Sequence, residues 1–226
     1  EVGINISPIS GVQEAVLIYA GVITSLPPSD CKRLVIDIGG GSTEIIIGHK
    51  HSRLLTESMA VGSVAWRDKF FSPKTADPLL LQTQLDAATA ASKTVFDGIS
   101  PGVRRIGWQE AYASSGTVKM LAAICQAHGF GKGEIELQAL LALRPQLISA
   151  IAKGGDLPGL KERRRELLLP GLAVLVGLMQ SYSVERINFS ATALREGMLD
   201  FMVKNKKTLA VMQNSELPEV SLTKNT

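Results

Sequence analysis

Hydrophobic residues follow two different periods along the first third of the chain. From Gly11 to Thr24 they recur at the spacing of one face of an α-helix, which Ser10 starts and "LPPSD" ends. Three short apolar segments come next, and their Ile, Val and Leu content is typical of β-strands: "RLVIDI", "TEIIIG" and "RLLTES". The pattern therefore predicts a helix followed by an antiparallel meander of three strands.

The rest of the chain alternates between helical and extended segments. A long helix is predicted over "DPLLLQTQLDAATAASKTVFDGI", with Asp77 as its N-cap and Pro78 at its first position. Strands are predicted over "EAYAS" and "ERINFS". Further helices are predicted over "VKMLAAICQAHG", Glu136–Lys153, the basic "KERRREL", the apolar segment after it and "ATALREGMLDFMVKN". This order indicates an α/β domain with a mixed sheet flanked by helices.

Composition narrows the classes of function. Of 226 residues, 45% are hydrophobic and 20% are charged, as in soluble globular proteins. A net charge of +3 gives no strong electrostatic reason to expect DNA as a partner. No apolar run reaches the roughly 18 residues of a membrane-spanning helix, and the start shows no signal-peptide pattern. Cys31 and Cys125 form neither a disulfide framework nor a metal-binding spacing, so the cytoplasm is the expected location.

The stretch "DIGGGSTE" carries the strongest candidate chemistry. Gly39, Gly40 and Gly41 have no Cβ, so the backbone can turn tightly and approach a ligand closely. Consecutive N–H groups in such a turn form a concave site for an anion, and Ser42 and Thr43 add hydroxyl donors. The loop opens a second strand, unlike a Walker A loop, which opens a helix. The stretch predicts a phosphate clamp between two strands, with a ligand-free glycine-rich hairpin as the alternative.

Two carboxylates flank this loop, Asp37 before it and Glu44 after it. Asp37 ends a buried strand, where ligands of α/β sheets collect. Both groups have the wrong sign for direct contact with phosphate. They fit the site if Mg²⁺ lies between them and the phosphate, usually with bridging water.

Two other motifs are weaker. "SSGT" opens a helix after a strand, so Gly116 and Thr117 can offer free N–H groups to an anion or a nucleotide. Most strand–helix junctions carry such caps, however. His49 and His51 fit a solvated hairpin turn better than a metal site, because no third ligand is in view.

Together these motifs resemble a known family. "DIGGGSTE" is similar to the second phosphate motif of the actin/hexokinase/Hsp70 superfamily. With "PISGVQEAVLIYAGV", "ASSGTVK" and "ALREGML", it resembles the exopolyphosphatase / guanosine pentaphosphate phosphohydrolase family, from Ile9 to about Phe201. The resemblance implies a ribonuclease H-like, actin-like ATPase fold.

The resemblance also implies roles for individual residues. Glu14 corresponds to the glutamate that acts as the base for the attacking water. Asp37 and Glu44 correspond to the family's metal-associated acids, and Gly39 to Ser42 to its phosphate clamp. Gly116 and Thr117 correspond to the nucleotide loop of the superfamily's second domain. The chain departs from the family at Gln13, where an acid is common, and at Thr192-Ala193, where a glycine is common.

The family has two actin-like domains that close on a chain of phosphates, and the first domain's phosphate loop is absent here. We therefore expect mostly the second domain, in a fragment whose upstream residues are missing; "GINI" then belongs to a strand already under way. The expected division is a remnant of the first domain with a connecting helix over 1–28, the second domain over 29–189, a returning helix over 190–205 and a loose tail over 206–226.

The implied activity is Mg²⁺-dependent release of terminal phosphate from inorganic polyphosphate. Hydrolysis of guanosine pentaphosphate (pppGpp) on the same site stays open, as does a nucleotide-binding module without turnover, which would not need Glu14. A sugar or glycerol kinase is a weaker rival. A homodimer is left open. Candidate polyanion contacts are the basic runs Arg104-Arg105, Arg163–Arg165 and Lys204–Lys207, although such runs are more often solvated helix faces.

Overall fold

A computed structural model of the chain describes residues 8–204. Six strands form its sheet: β1 (Lys32–Ile38), β2 (Thr43–His49), β3 (Ser52–Met59), β4 (Glu110–Ser114), β5 (Glu134–Glu136) and β6 (Arg186–Phe189). The helices are α1 (Gly11–Thr24), α2 (Ser63–Phe70), α3 (Pro78–Asp97), α4 (Ser100–Ile106), α5 (Gly116–Ala127), α6 (Leu137–Lys153), α7 (Leu168–Tyr182) and α8 (Leu194–Lys204). A 3₁₀ turn spans Glu162–Leu167.

The strands lie in the order β3-β2-β1-β4-β6-β5. The first three pair antiparallel, as the meander predicts, whereas β4 pairs parallel with both β1 and β6. The short strand β5 closes the far edge antiparallel to β6. The predicted mixed sheet flanked by helices is confirmed.

Each face of the sheet is covered by helices. On one face, α1 packs on Val35 and Ile46 and forms a small core. The opposite face carries the larger core, in which the apolar helix α7 is buried among α3, α5 and α6. Because β1 and β2 are covered on both faces, they read as nearly continuous apolar runs in the sequence.

Helices α1 and α8 cross at two glycines. A Cβ on Gly21 would lie 1.9 Å from the carbonyl oxygen of Ala193, and one on Gly197 would lie 1.8 Å from that of Leu17. Both distances are far below van der Waals contact, so this crossing requires glycine on both helices.

Most predicted elements are confirmed, including Ser10 and Asp77 as N-caps. Three elements were missed, namely α2, α4 and β5, and the predicted helix over the basic run is a 3₁₀ turn. Neither α2 nor α4 has a side-chain N-cap bond, and β5 has only three residues, so their sequence signals are short.

Some predictions are not tested by the structure. The division of the chain into domain segments stays a prediction. The "GINI" strand and the tail from residue 206 lie outside the described residues. None of the helices within residues 8–204 combines the length and apolar character needed to cross a membrane.

Candidate active site

Four polar residues form one row across four neighbouring strands. Glu44 lies directly opposite Asp37 in the antiparallel β1–β2 pair. Ser114 is paired with Asp37 on the parallel side, and Ser58 with Glu44 on the other. Residues directly opposite each other point to the same face of a sheet. This face is the one that α1 covers, because Val35 and Ile46 also belong to it.

Asp37 is held by its neighbour in the row. The hydroxyl of Ser114 donates to Oδ2 of Asp37 at 2.8 Å, and both side chains are buried. Burial raises the pKa of Asp37 to about 6, although the Ser114 hydrogen bond opposes this. The charges of Glu44 and Glu14 also contribute to this raised pKa. Asp37 is therefore a carboxylate whose charge lacks local compensation.

Glu44 is the most buried carboxylate of the site, with 1% of its surface exposed. Its Oε1 atom accepts two hydrogen bonds, from Ser42 Oγ at 2.7 Å and from Ser58 Oγ at 2.9 Å. Within residues 8–204, no ion pair involves Glu14, Asp37 or Glu44. Two serine hydroxyls, not a basic side chain, hold this buried charge.

Glu14 lies in the first turn of α1, beside the carboxylate row. Partial burial raises the pKa of its carboxyl, and the negative charge of Glu44 raises it further. The helix start is fixed by a capping box in which the Ser10 and Gln13 side chains each accept from the other's backbone N–H. Gln13, where the family often has an acid, is therefore a capping residue here.

The glycine loop exposes two backbone amides. The N–H of Gly39 donates to the carbonyl of Ser42 at 2.9 Å and closes the turn, so it is unavailable to a ligand. Among the described residues, the amides of Gly40 and Gly41 have no hydrogen-bond partner. Both of these glycines are exposed.

Backbone amides of helix α2 bind the carbonyl groups of this loop. The carbonyl of Gly39 accepts from the Ser63 amide, and that of Gly40 accepts from the amides of Val64 and Ala65. A trans peptide directs its N–H away from its C=O. The amides of Gly40 and Gly41 therefore point away from α2, as an anion clamp needs.

The second loop joins β4 to α5, and a serine cap holds it. Ser115 has a φ of +102°, and its side chain caps α5 by accepting from the amide of Val118. The Thr117 hydroxyl is buried and donates to Ser63 Oγ at 3.2 Å, so it joins α5 to α2. At Gly116, a Cβ would lie 2.2 Å from the guanidinium of Arg164, so only glycine lets this arginine lie on the loop.

The hydroxyl of Thr43 is a correction to the predicted set of donors, whereas anion binding by the backbone N–H groups of Gly116 and Thr117 stays a prediction. Thr43 is fully buried, and its hydroxyl donates to the carbonyl of Val61 at 2.5 Å. The Thr43 hydroxyl therefore stabilises the fold and cannot donate to a phosphate. Alternation along β2 already places Thr43 on the face opposite to its neighbour Glu44.

Two residues of the site were missed, Ser58 and the capping residue of α2, Gly62. A Cβ on Gly62 would lie 2.3 Å from the carbonyl oxygen of Gly40, so glycine is required for α2 to reach the loop. Ser58 lies directly opposite Glu44, and this pairing follows from the register of the β2–β3 hairpin. Counting back from the turn would have paired Glu44 with Glu57 instead, because an irregularity between Ile47 and Gly48 shifts the register by one residue.

The basic runs divide into structural and accessible residues. Arg104 donates to Ser100 and to the carbonyl of Ser181, and Arg165 pairs with Glu162, so both are engaged within the fold. Lys204 pairs with Asp200, and residues 206 and 207 lie outside the described part. A cavity of about 130 Å³ at the start of α5 is lined by Gly116 and four cations, namely Lys119, Lys161, Arg163 and Arg164.

The carboxylates could hold a cation. No group of three or more His, Cys, Asp or Glu side chains converges as a metal cage within residues 8–204, and His49 and His51 belong to no such group. Mg²⁺ is usually bound by one or two carboxylates, with water and substrate phosphates completing its shell. Asp37 and Glu44, without a basic partner, fit this donor set.

Comparison with known proteins places the chain in a family. Residues 1–206 match the Ppx/GppA phosphatase family. A guanosine-5'-triphosphate,3'-diphosphate pyrophosphatase of Pseudoalteromonas translucida is 37% identical over 204 residues, which are 89% of this chain and 39% of that protein. The chain spans less than two thirds of the length of such curated relatives.

Comparison with solved structures agrees with this family assignment. An exopolyphosphatase from Cytophaga hutchinsonii superposes with a TM-score of 0.74 at 27% identity, over 91% of this chain and 67% of that one. A Ppx/GppA family member from Aquifex aeolicus gives 0.72 at 20% identity, over 91% and 67% of the two chains, which supports the fold. The chain belongs to the Ppx/GppA phosphatase family and has its actin-like fold.

Proposed function

We propose that the intact protein hydrolyses phosphoanhydride bonds and releases terminal phosphate from inorganic polyphosphate. The observation that carries this proposal is the pairing of Asp37 with Glu44 beside a loop of outward-facing amides, with Glu14 at the same place. Two amides for a phosphate, two carboxylates for a cation and a third for a water are the parts that phosphoryl transfer to water needs.

The amides of Gly40 and Gly41 would bind the oxygens of the phosphate chain. Neither glycine has a positive φ, and a Cβ on Gly41 would meet nothing within 4 Å. The fold itself therefore does not demand glycine at position 41. Close approach of a ligand to the backbone is a physical reason for having no side chain there.

Asp37 and Glu44 would hold Mg²⁺, directly or through water, and when bound the ion would neutralise charge on the phosphate oxygens. Their buried, mutually repelling charges are a reason to expect a cation. Ser114 and Ser58 keep the two carboxylates in place.

Glu14 would orient the attacking water and take its proton. The water oxygen bonds to the terminal phosphorus, the bond from phosphorus to the bridging oxygen breaks, and the shortened chain leaves with that oxygen. The raised pKa of Glu14 suits this role, because a stronger base accepts a proton more readily.

A second candidate is hydrolysis of pppGpp. The cationic cavity beside Gly116 favours it, because a nucleotide with phosphates at both ends of its ribose offers a second anionic group. The name of the Pseudoalteromonas translucida relative supports the same candidate. A binding module without turnover is the third reading, and Glu14 argues against it because binding alone needs no base.

Phosphate release by the intact protein, measured with Mg²⁺ and either polyphosphate or pppGpp, tests the proposal and separates the two substrates. We expect release from polyphosphate, with removal of Mg²⁺ by chelation abolishing it. Arg164→Ala should raise KM for pppGpp more than for short polyphosphate if the cavity binds the nucleotide. Absence of release from both substrates contradicts the proposal.

A further inference from the structure

Ser58 joins three parts of the candidate site. It lies on β3, opposite Glu44 on β2, and its hydroxyl donates to Glu44 Oε1 at 2.9 Å. It also lies against the first turn of α1, since a Cβ built on Gly11 would be 2.3 Å from Ser58 Oγ. The same hypothetical Cβ would be 3.8 Å from Glu44 Oε1.

We propose that Ser58 is a positioning residue, which sets the direction of the Glu44 carboxylate and fixes the distance between that carboxylate and the helix start that carries Glu14. This inference rests on the proposed function, because it assigns Ser58 a part in the same reaction. Ser58 itself touches neither substrate nor the reacting atoms.

The hydrogen-bond pattern of Glu44 supports this role. Both serine donors bind the same oxygen, Oε1, so Oε2 is the oxygen left for a cation. Ser42 belongs to the glycine loop, which a bound phosphate would engage. Ser58 is the donor that lies within a strand of the sheet, so it can hold Glu44 whether or not the loop is occupied.

The close contact between α1 and Ser58 also requires glycine at position 11. With any side chain at position 11, either α1 would move away from β3 or Ser58 would turn off Glu44, because Ser58 Cβ as well as Oγ lies within 2.6 Å of the added atom. The glycine therefore lets the helix that carries Glu14 start directly over the Glu44–Ser58 pair. This gives a physical reason for glycine at position 11 in "SGVQEA".

The test measures metal affinity directly, with Mn²⁺ as a probe that electron paramagnetic resonance detects in the intact protein. Ser58→Ala should weaken Mn²⁺ binding about 10-fold, as is typical when a partner that orients a metal ligand is lost. The matched control is Ser52→Ala, the same change at the exposed start of the same strand, which should bind like wild type. Ser58→Cys keeps the size and weakens the donor, so it should fall between wild type and Ser58→Ala.

Kinetics supply the second readout. Ser58→Ala should lower kcat about 10-fold at saturating Mg²⁺ and leave KM for polyphosphate near its wild-type value, since no substrate contact is removed. Gly11→Ala should weaken Mn²⁺ binding as Ser58→Ala does. The Gly11→Ala/Ser58→Ala double variant should be no worse than the more affected single variant, because both changes break one contact.

The outcomes separate the two proposals. Wild-type protein that binds Mn²⁺ yet releases no phosphate contradicts the proposed function and leaves the Ser58 measurement valid. Ser58→Ala and Ser58→Cys that both bind Mn²⁺ as wild type does overturn the positioning role. So does a wild-type protein that binds Mn²⁺ no better than Glu44→Gln. If Ser58→Ala fails to fold by circular dichroism, Ser58→Cys alone decides.

Discussion

Asp37 and Glu44 lie directly opposite each other on adjacent antiparallel strands, and the glycine loop joins those strands. A hairpin of this register places two carboxylates on one face of the sheet, both almost excluded from water. Neither has an ion-pair partner among residues 8–204. The pair therefore relieves its repulsion by binding a proton or a cation, and pH and metal should compete at this place.

The first prediction concerns stability without metal. Burial raises the pKa of Asp37 from 3.8 to about 6, so the folded protein binds this proton more tightly than the unfolded chain. The contribution to the free energy of unfolding is full below about pH 4 and is lost as the pH rises through about 6. Asp37→Asn should therefore raise the free energy of unfolding at pH 7.5 by up to about 3 kcal/mol and change it little at pH 4.

Denaturant titrations in a chelator at both pH values measure this difference. Asp156→Asn, at an exposed position, is the control and should have no pH-dependent effect of this size. An Asp37→Asn variant that is less stable than wild type at pH 7.5 would show that the buried charge is compensated in a way the structure does not contain.

The second prediction concerns Glu14. In the intact protein, Glu14→Gln should reduce phosphate release from polyphosphate by about 10²–10⁴-fold, the usual loss when a general base is removed. Binding of polyphosphate, followed by calorimetry, should stay near the wild-type affinity or tighten, because the variant removes one negative charge. Glu185→Gln, an exposed glutamate elsewhere, serves as the control. Wild-type turnover by Glu14→Gln removes this residue from the mechanism.

The third prediction compares two glycines that differ only in location. A Cβ would meet nothing within 4 Å at Gly41 or at Gly155, and neither residue has a positive φ. Both alanine variants should therefore fold with near wild-type stability. Only Gly41→Ala should weaken phosphate binding, because its methyl group would stand where the anion approaches the exposed amides. Equal phosphate affinity of the two variants, measured by NMR titration of backbone amides, would contradict the clamp.

Much of this site could be predicted from the sequence because its elements have strong local sequence signals. The apolar runs on either side of "GGGST" define a hairpin, and a hairpin brings Asp37 and Glu44 together without help from distant residues. Helix α1 is predicted by its period and its capping residue, Ser10. The outward amides of the loop could not be derived in this way, because α2 orients them and α2 has little sequence signal.

The misassigned hydroxyl of Thr43 shows a second limit of prediction from the sequence. Thr43 belongs to a motif rich in ligand-binding residue types, yet its hydroxyl donates to the carbonyl of Val61. Its partner lies in the segment between β3 and α2, so this hydrogen bond depends on tertiary packing. The contact between Arg164 and Gly116 could not be predicted either, because it depends on where the 3₁₀ turn places the arginine.

The last prediction concerns the crossing of α1 and α8, which helps to fix the position of the helix that carries Glu14. Gly197→Ala would place a methyl group 1.8 Å from the Leu17 carbonyl, and backbone on both sides leaves it nowhere to move. The two helices must separate, which should lower the free energy of unfolding by about 1–3 kcal/mol or more.

Gly102→Ala in α4 is the control, because the atom nearest to its added Cβ would be 3.9 Å away. Alanine there should be neutral or stabilising by up to about 1 kcal/mol, as expected for glycine in a helix. Denaturant unfolding of the three proteins measures both effects. Since the same shift would displace α1, Gly197→Ala should also reduce phosphate release, whereas Gly102→Ala should not. A Gly197→Ala protein as stable and as active as wild type would show that the helices cross less closely than they do in the structure.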